Sequence, residues 1–225
     1  TWQCSPCQDF LMAFGVAAIA RAGELVLQGL ANMAWAFAHL ASKNEPLHCV
    51  LAEQAVARAG FFKPRDLANV AWAFAKLIVD KPELFAAISN QAAAKLNEFG
   101  PQSLSNTIWA FATVSKDDRR LLCAVEQEVA RLREFKLQGI SNLAWAVATL
   151  HADCVERLFS LLAIELPKAL EGGIIEAQAT GVSNRRLLAQ RAAEALAAVW
   201  AFRFAGRLAN TEGFAVSMHG ALLCV

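Results

Sequence analysis

The chain has 225 residues, with 21 Lys+Arg against 20 Asp+Glu and a formal net charge of +1. Residues 1–170 balance 16 cations with 16 acids, so the totals carry no strong electrostatic footprint for nucleic acid, although a basic stripe can hide inside a neutral sum. The apolar share is 56%, but the longest uncharged run, 25–42, contains Gln28, Asn32 and His39, and a membrane-spanning helix needs about 20 mostly apolar residues, so a transmembrane reading is rejected.

The chain begins at Thr1 rather than Met and is expected to be a fragment or a processed product. Residues 7–24 read as one helix, the remnant of a repeat unit, and residues 1–26 are assigned to that remnant. Four copies of one motif follow. Leu30-Ala-Asn-Met-Ala-Trp-Ala-Phe-Ala-His-Leu40 recurs from Leu67, from Leu104 as Leu-Ser-Asn-Thr-Ile-Trp-Ala-Phe-Ala-Thr-Val, and from Ile140 as Ile-Ser-Asn-Leu-Ala-Trp-Ala-Val-Ala-Thr-Leu. The tryptophans Trp35, Trp72, Trp109 and Trp145 step by 37, 37 and 36 residues. Self-similarity at such a period marks an array of two-helix units, an α-solenoid.

Each unit is read as a first helix, A, carrying the motif, and a second, B. The A helices are expected over 28–41, 65–79, 102–115 and 138–151, and the B helices over 46–60, 82–98, 117–134 and 153–170. Pro64 and Pro101 precede or open A helices, and Pro46 and Pro82 open B helices, where the missing N–H costs nothing. Asp80, Asp117 and Asp153 stand near B-helix N-termini, and Gly60 and Gly100 are expected to close B helices. No stretch sustains period-2 alternation, so no sheet is expected. Residues 27–171 are thus four tandem helical hairpins. Residues 171–181 read as a break, and 172–225 as a divergent helical or irregular segment; within it a helix over 184–204 holds Val199-Trp-Ala-Phe202, an echo of the motif at the wrong spacing.

On a helix of 3.6 residues per turn, motif positions one, five and eight share a face, as do two, six and nine. This apolar arc is read as the packing surface, with Trp and Phe supplying its buried area. The remaining stripe comprises positions three, seven and ten and the two residues preceding the motif. It reads Gln28, Gly29, Asn32, Ala36 and His39, then Arg65, Asp66, Asn69, Ala73 and Lys76. The third and fourth units give Gln102, Ser103, Asn106, Ala110 and Thr113, then Gln138, Gly139, Asn142, Ala146 and Thr149. Its polar members (Gln28, Asn32, His39, Arg65, Asp66, Asn69, Lys76, Gln102, Ser103, Asn106, Thr113, Gln138, Asn142 and Thr149) are the candidate binding residues. An amide ladder with variable neighbours suits unpaired bases, whose edges need donors and acceptors. Two readings of the asparagines stay open: ligand contact, or bonds to the adjacent loop backbone that fix the stacking.

Other chemistry is thinly represented. Of the six cysteines (Cys4, Cys7, Cys49, Cys123, Cys154, Cys224) only Cys4-Ser-Pro-Cys7 form a close pair, half of a zinc site without a second half nearby. The spacing argues against a disulfide framework and for a reducing compartment. No phosphate loop, catalytic triad or paired-carboxylate motif is present, so no enzyme, no metal site and no cofactor is expected.

The unit Leu-Ala-Asn-x-Ala-Trp-Ala-Phe-Ala-x-Leu, with Gln or Arg just before it, resembles the octotricopeptide repeat and the related helical repeats that precede RAP domains, including those of the FAST kinase family, over about residues 20–170. That resemblance implies single-stranded RNA binding along the A-helix stripe in a mitochondrion or plastid, in transcript stabilisation, processing, translation or rRNA handling. No C-terminal RAP domain is read, so nothing nuclease-like carries over. A protein-interaction scaffold within an organellar assembly is the alternative.

Overall fold

The computed structural model describes residues 5–116, 118, 121–122, 125–126, 133–150, 156–179 and 185–204. Every regular element among them is a helix. The chain divides into two compact units, residues 1–99 and 100–225.

The first unit holds α1 (Ser5–Ala20), α2 (Leu27–His39), α3 (Glu45–Ala57), α4 (Pro64–Lys76) and α5 (Pro82–Ala94). The A helices α2 and α4 pack side by side, and the B helices α1, α3 and α5 pack in series. The second unit holds α6 (Pro101–Thr113), α7 (Leu137–Leu150), α8 (Glu156–Ala179) and α9 (Arg185–Phe204). There α7 packs on α6, α8 and α9. Of the B helix expected over 117–134, the described residues 121–122 and 125–126 are helical, with Leu121, Leu122 and Val125 buried. The all-α helical-repeat architecture follows the motif.

The boundaries follow local chemistry. Pro64, Pro82 and Pro101 stand in the first turns of α4, α5 and α6, where an N–H has no intrahelical partner. The Asn44 side chain caps α3, accepting from the Leu47 amide at 3.1 Å. Asp118 accepts from the Leu121 amide at 3.2 Å; Asp117 and Asp153 lie outside the described residues. Gly60 and Gly100 do not close B helices. Gly60 lies in a 3-10 turn, Ala59–Phe61, and Gly100 is the N-cap of α6. The break expected at 171–181 is also corrected over its described part: α8 runs on to Ala179, and the buried stripe Leu158, Leu162, Leu166 and Leu170 carries it past its own Pro167.

Each A helix of the first three repeats ends the same way. The Ser42, Val79 and Lys116 amides donate to the Phe37, Phe74 and Phe111 carbonyls at 3.0, 2.9 and 2.9 Å, closing Schellman loops. That geometry needs a left-handed residue, normally glycine. Here it is Ala41, Ile78 or Ser115, with φ of 50°, 56° and 54°. A second recurrent device follows α3 and α5. Arg58 donates through Nη1 to the Leu25 carbonyl at 2.8 Å, and Lys95, 37 residues later, donates to the Phe62 carbonyl at 3.2 Å. Each cation staples the turn of the preceding repeat.

The core repeats as well. Motif positions one and eight are buried as Leu30 and Phe37, Leu67 and Phe74, Leu104 and Phe111, Ile140 and Val147. Phe62, Phe99 and Phe135, each two residues before an A helix, plug the turns. His48 of α3 is wedged edge-on between Phe37 and Phe74, with ring centroids 6.4 and 5.9 Å away, and neither of its nitrogens has a hydrogen-bond partner. Burial, then the Lys81 charge, depress its pKa below the ordinary value, against the opposing pull of Glu45.

Two outcomes test this packing. Ile78 is exposed, so Ile78→Gly loses no core contact; it removes about 1–2 kcal/mol of left-handed strain against roughly 0.4–1 kcal/mol of added unfolded-state entropy. Denaturant titration should show a gain of about 0.5–1 kcal/mol, and a loss would contradict the Schellman geometry. Folded His48 takes up its proton at lower pH than in the unfolded chain, which protonates it below about pH 6.5. Stability should therefore be unaffected by His48 above that pH and fall as pH drops below it. Wild type should lose stability relative to His48→Leu between pH 7.5 and 5.5; a gap that stays constant would refute the buried neutral imidazole.

Candidate nucleic-acid interface

The A helices present one stripe to solvent, and its composition differs from the expected one. Four positions spaced by four, three and four residues share a helical face: Gln28, Asn32, Trp35 and His39 in α2. The same register gives Arg65, Asn69, Trp72 and Lys76 in α4, then Gln102, Asn106, Trp109 and Thr113 in α6, and Gln138, Asn142, Trp145 and Thr149 in α7. The tryptophans therefore belong to the stripe, not to the core. Trp35 is 42% exposed, and Trp72, Trp109 and Trp145 are half-buried.

The alanines explain this. Position seven, expected on the stripe, faces inward as Ala73, Ala110 and Ala146, all buried, with Ala36 half-buried. Positions two and nine are also small and buried: Ala31 and Ala38, Ala68 and Ala75, Ser105 and Ala112, Ser141 and Ala148. Small residues on three sides bring adjacent A helices too close for an indole between them, and the ring is displaced to the mouth of the seam. There the rings meet each other. Trp35 and Trp72 lie 6.5 Å apart, with His39 stacked on Trp35 at 4.1 Å and 5.6 Å from Trp72. In the second unit Trp109 and Trp145 lie 6.2 Å apart.

The structure adds another rung there. Helix α9 packs on α7 as an A helix does, and Ser141 Oγ donates to the Glu194 carbonyl at 2.6 Å. Trp200 occupies the Trp register, with Ala193 and Ala197 at the Gln and Asn positions, and is 50% exposed. Its spacing from Trp145 is irregular because α8 has 24 residues where α3 and α5 have 13.

The other candidates divide by environment. Asp66 leaves the list of contact residues: it is 4% exposed, with one oxygen 4.0 Å from Arg65 Nε, because its position turns inward between the helices. Ser103, at the same register in α6, is half-buried. Thr113 and Thr149 give their hydroxyls to the Trp109 and Trp145 carbonyls, each at 2.8 Å, which satisfies them within their own helices. Gln28, Arg65, Lys76, Gln102 and Gln138 are exposed. The side-chain amides of Asn32, Asn69, Asn106 and Asn142 make no hydrogen bond among the described residues, so the loop-fixing reading of the asparagines gains no support. What results is a ladder of indole faces flanked by amides with open donors and acceptors.

No group of three or more potential metal ligands occurs among the described residues, and Cys4 lies outside them. None of their helices is long and apolar enough to cross a membrane.

Within each compact unit, neighbouring A helices carry solvent-reaching indoles in register with amides, the pattern of a helical-repeat protein. Residues 10–163 match the model of the RNA-editing substrate-binding complex 6 protein family, RESC6, and the chain belongs to that family. No curated protein matches the chain. The family match overturns the octotricopeptide and RAP-associated assignment. That assignment rested on the Asn-x-x-Trp-Ala-Phe unit, which describes a close-packed A helix with a displaced indole and does not distinguish one such family from another. The plastid setting loses its ground with it.

Proposed function

We propose that this chain is a non-catalytic RNA-binding module of an RNA-editing substrate-binding assembly, and that single-stranded RNA lies along the A-helix stripes. The observation that carries the reading is the ladder itself: solvent-reaching indoles in register with amides that have no partner of their own. Indole faces stack unpaired bases of any sequence, and amides offer donor and acceptor together to base edges. The family supplies the setting, since its name is that of an RNA-editing substrate-binding complex protein. Kinetoplastid RNA editing is mitochondrial, which supports a mitochondrial location.

With a net charge of +1, affinity comes mainly from stacking, and Arg65 and Lys76 meet phosphates in the first unit. A role in protein assembly runs alongside. Met12 and Val16, one turn apart on α1, are each more than 60% exposed, an apolar patch of the kind that marks protein contacts.

The test is intrinsic tryptophan fluorescence and polarisation against a random single-stranded RNA pool. Wild type should be quenched on binding, with a shallow salt slope because few phosphates are neutralised. Trp35→Ala/Trp72→Ala should weaken binding by at least tenfold, given about 1–3 kcal/mol per stacked base. Equal binding by a folded double variant would remove RNA from the ladder. Absence of RNA binding by wild type at low salt, with a stable complex formed by a protein partner, would favour the assembly role alone.

A further inference from the structure

The ladder of the second unit opens into a cavity of about 400 Å³ between the first turns of α6 and α7, within the usual small-ligand range. Its walls include Gln102 and Asn106 from α6, Gln138 and Gly139 from α7, and the ring of buried Phe135. Asn106 and Gln138 belong to the stripe, and Asn106 sits one helical turn before Trp109. The cavity therefore adjoins the stripe that carries Trp109 and Trp145.

Gly139 keeps it open. A Cβ at this position would stand 3.2 Å from the Phe135 ring and 3.4 Å from Ser105 Oγ, so a larger residue would have to displace one of them or grow into the cavity. The equivalent position in α4 is Asp66, whose side chain is buried. The same seam register is thus filled by a carboxylate in α4 and left empty in α7.

The lining chemistry selects the ligand. Three primary amides converge with an aromatic ring, and the opposite charges of Glu134 and Lys136 balance. A neutral, amide-rich, partly aromatic cavity suits a flat heterocycle with donors and acceptors on its edge. A free phosphate or carboxylate would find no excess of cations there.

We propose that this cavity receives one unpaired base, turned out of a single-stranded RNA whose neighbouring bases stack on Trp109 and Trp145. The inference rests on the RNA reading of the ladder and adds a place where sequence is read. The amides of Gln102, Asn106 and Gln138 meet the edge of the base, and Phe135 meets its face. The ladder supplies affinity for any strand, and the cavity supplies preference at one nucleotide.

The experiment uses the full chain and a single-stranded RNA selected from a random pool by wild type. Each base of that RNA is removed in turn to leave an abasic site. Wild type should lose about tenfold in affinity when one particular base is missing, beyond the smaller effects of its neighbours. Asn106→Ala/Gln138→Ala should bind the intact RNA about tenfold more weakly and lose the special sensitivity at that base. These two side chains are outside the core, so the variant tests the site even if the cavity-filling Gly139→Leu fails to fold. A flat abasic profile, or a folded double variant that binds intact RNA like wild type, would overturn the inference while leaving the ladder in place. Failure of the pool to yield any bound RNA would instead overturn the RNA reading itself, and the cavity proposal with it.

Discussion

Close approach between neighbouring A helices is the constraint on which the other features depend. Alanine or serine at motif positions two, seven and nine makes that approach possible, and all but Ala36 of these residues are buried. Phenylalanine or valine at position eight and leucine or isoleucine at position one then fill the space toward the B helices. Burying such side chains is worth roughly 1.5–3 kcal/mol each. The indole at position six has no room in this seam. It stays attached to a packed helix yet remains within reach of solvent and of the next indole. One packing rule thus produces both the stack and the surface that the stack displays.

Much of this was legible in the residues, because the fold is written in a period. The step of 36 or 37 residues, the prolines at helix starts and the apolar arc lead to the four A helices and the first two B helices within a few residues of those observed, while the fourth B helix runs nine residues beyond its expected end at 170, to Ala179. Other features were legible but unread. Trp35 lies three residues after Asn32 and four before His39, which places it on the polar stripe; treating a large aromatic as core by default concealed this. Arg58 and Lys95 stand 37 residues apart, and so do Phe62 and Phe99, a periodicity that lies outside the eleven-residue motif. Left-handed residues at 41, 78 and 115 were hidden for a different reason. Ala41, Ile78 and Ser115 are not the residues that such a position prefers, and tertiary packing imposes the conformation on them.

The candidate site was half legible for the same physical reason. Asn32, Asn69, Asn106 and Asn142 were identified from their identity in every unit, and the structure leaves their amides open. Asp66 was read as a stripe residue because its position is polar or small in all units, but a residue one step off the exposed register turns inward, and its carboxylate is buried. Trp200 escaped because the long helix α8 delays the next A helix beyond the period. Neutral composition, which argued against nucleic acid in the totals, is compatible with a surface that works by stacking and amide pairing. In such a surface the information lies in which faces and edges are free, and that is a property of packing.

The most direct test of this account separates the two aromatic positions of one motif. Phe111 is buried in the core and Trp109 is half-buried on the ladder, two residues along the same helix. Denaturant unfolding of Phe111→Ala should show a loss of about 3–5 kcal/mol, the range for a buried large aromatic. Trp109→Ala should lose clearly less than Phe111→Ala, despite removing the larger side chain. If Trp109→Ala is instead the more damaging of the two, the indole is part of the core and the ladder does not exist.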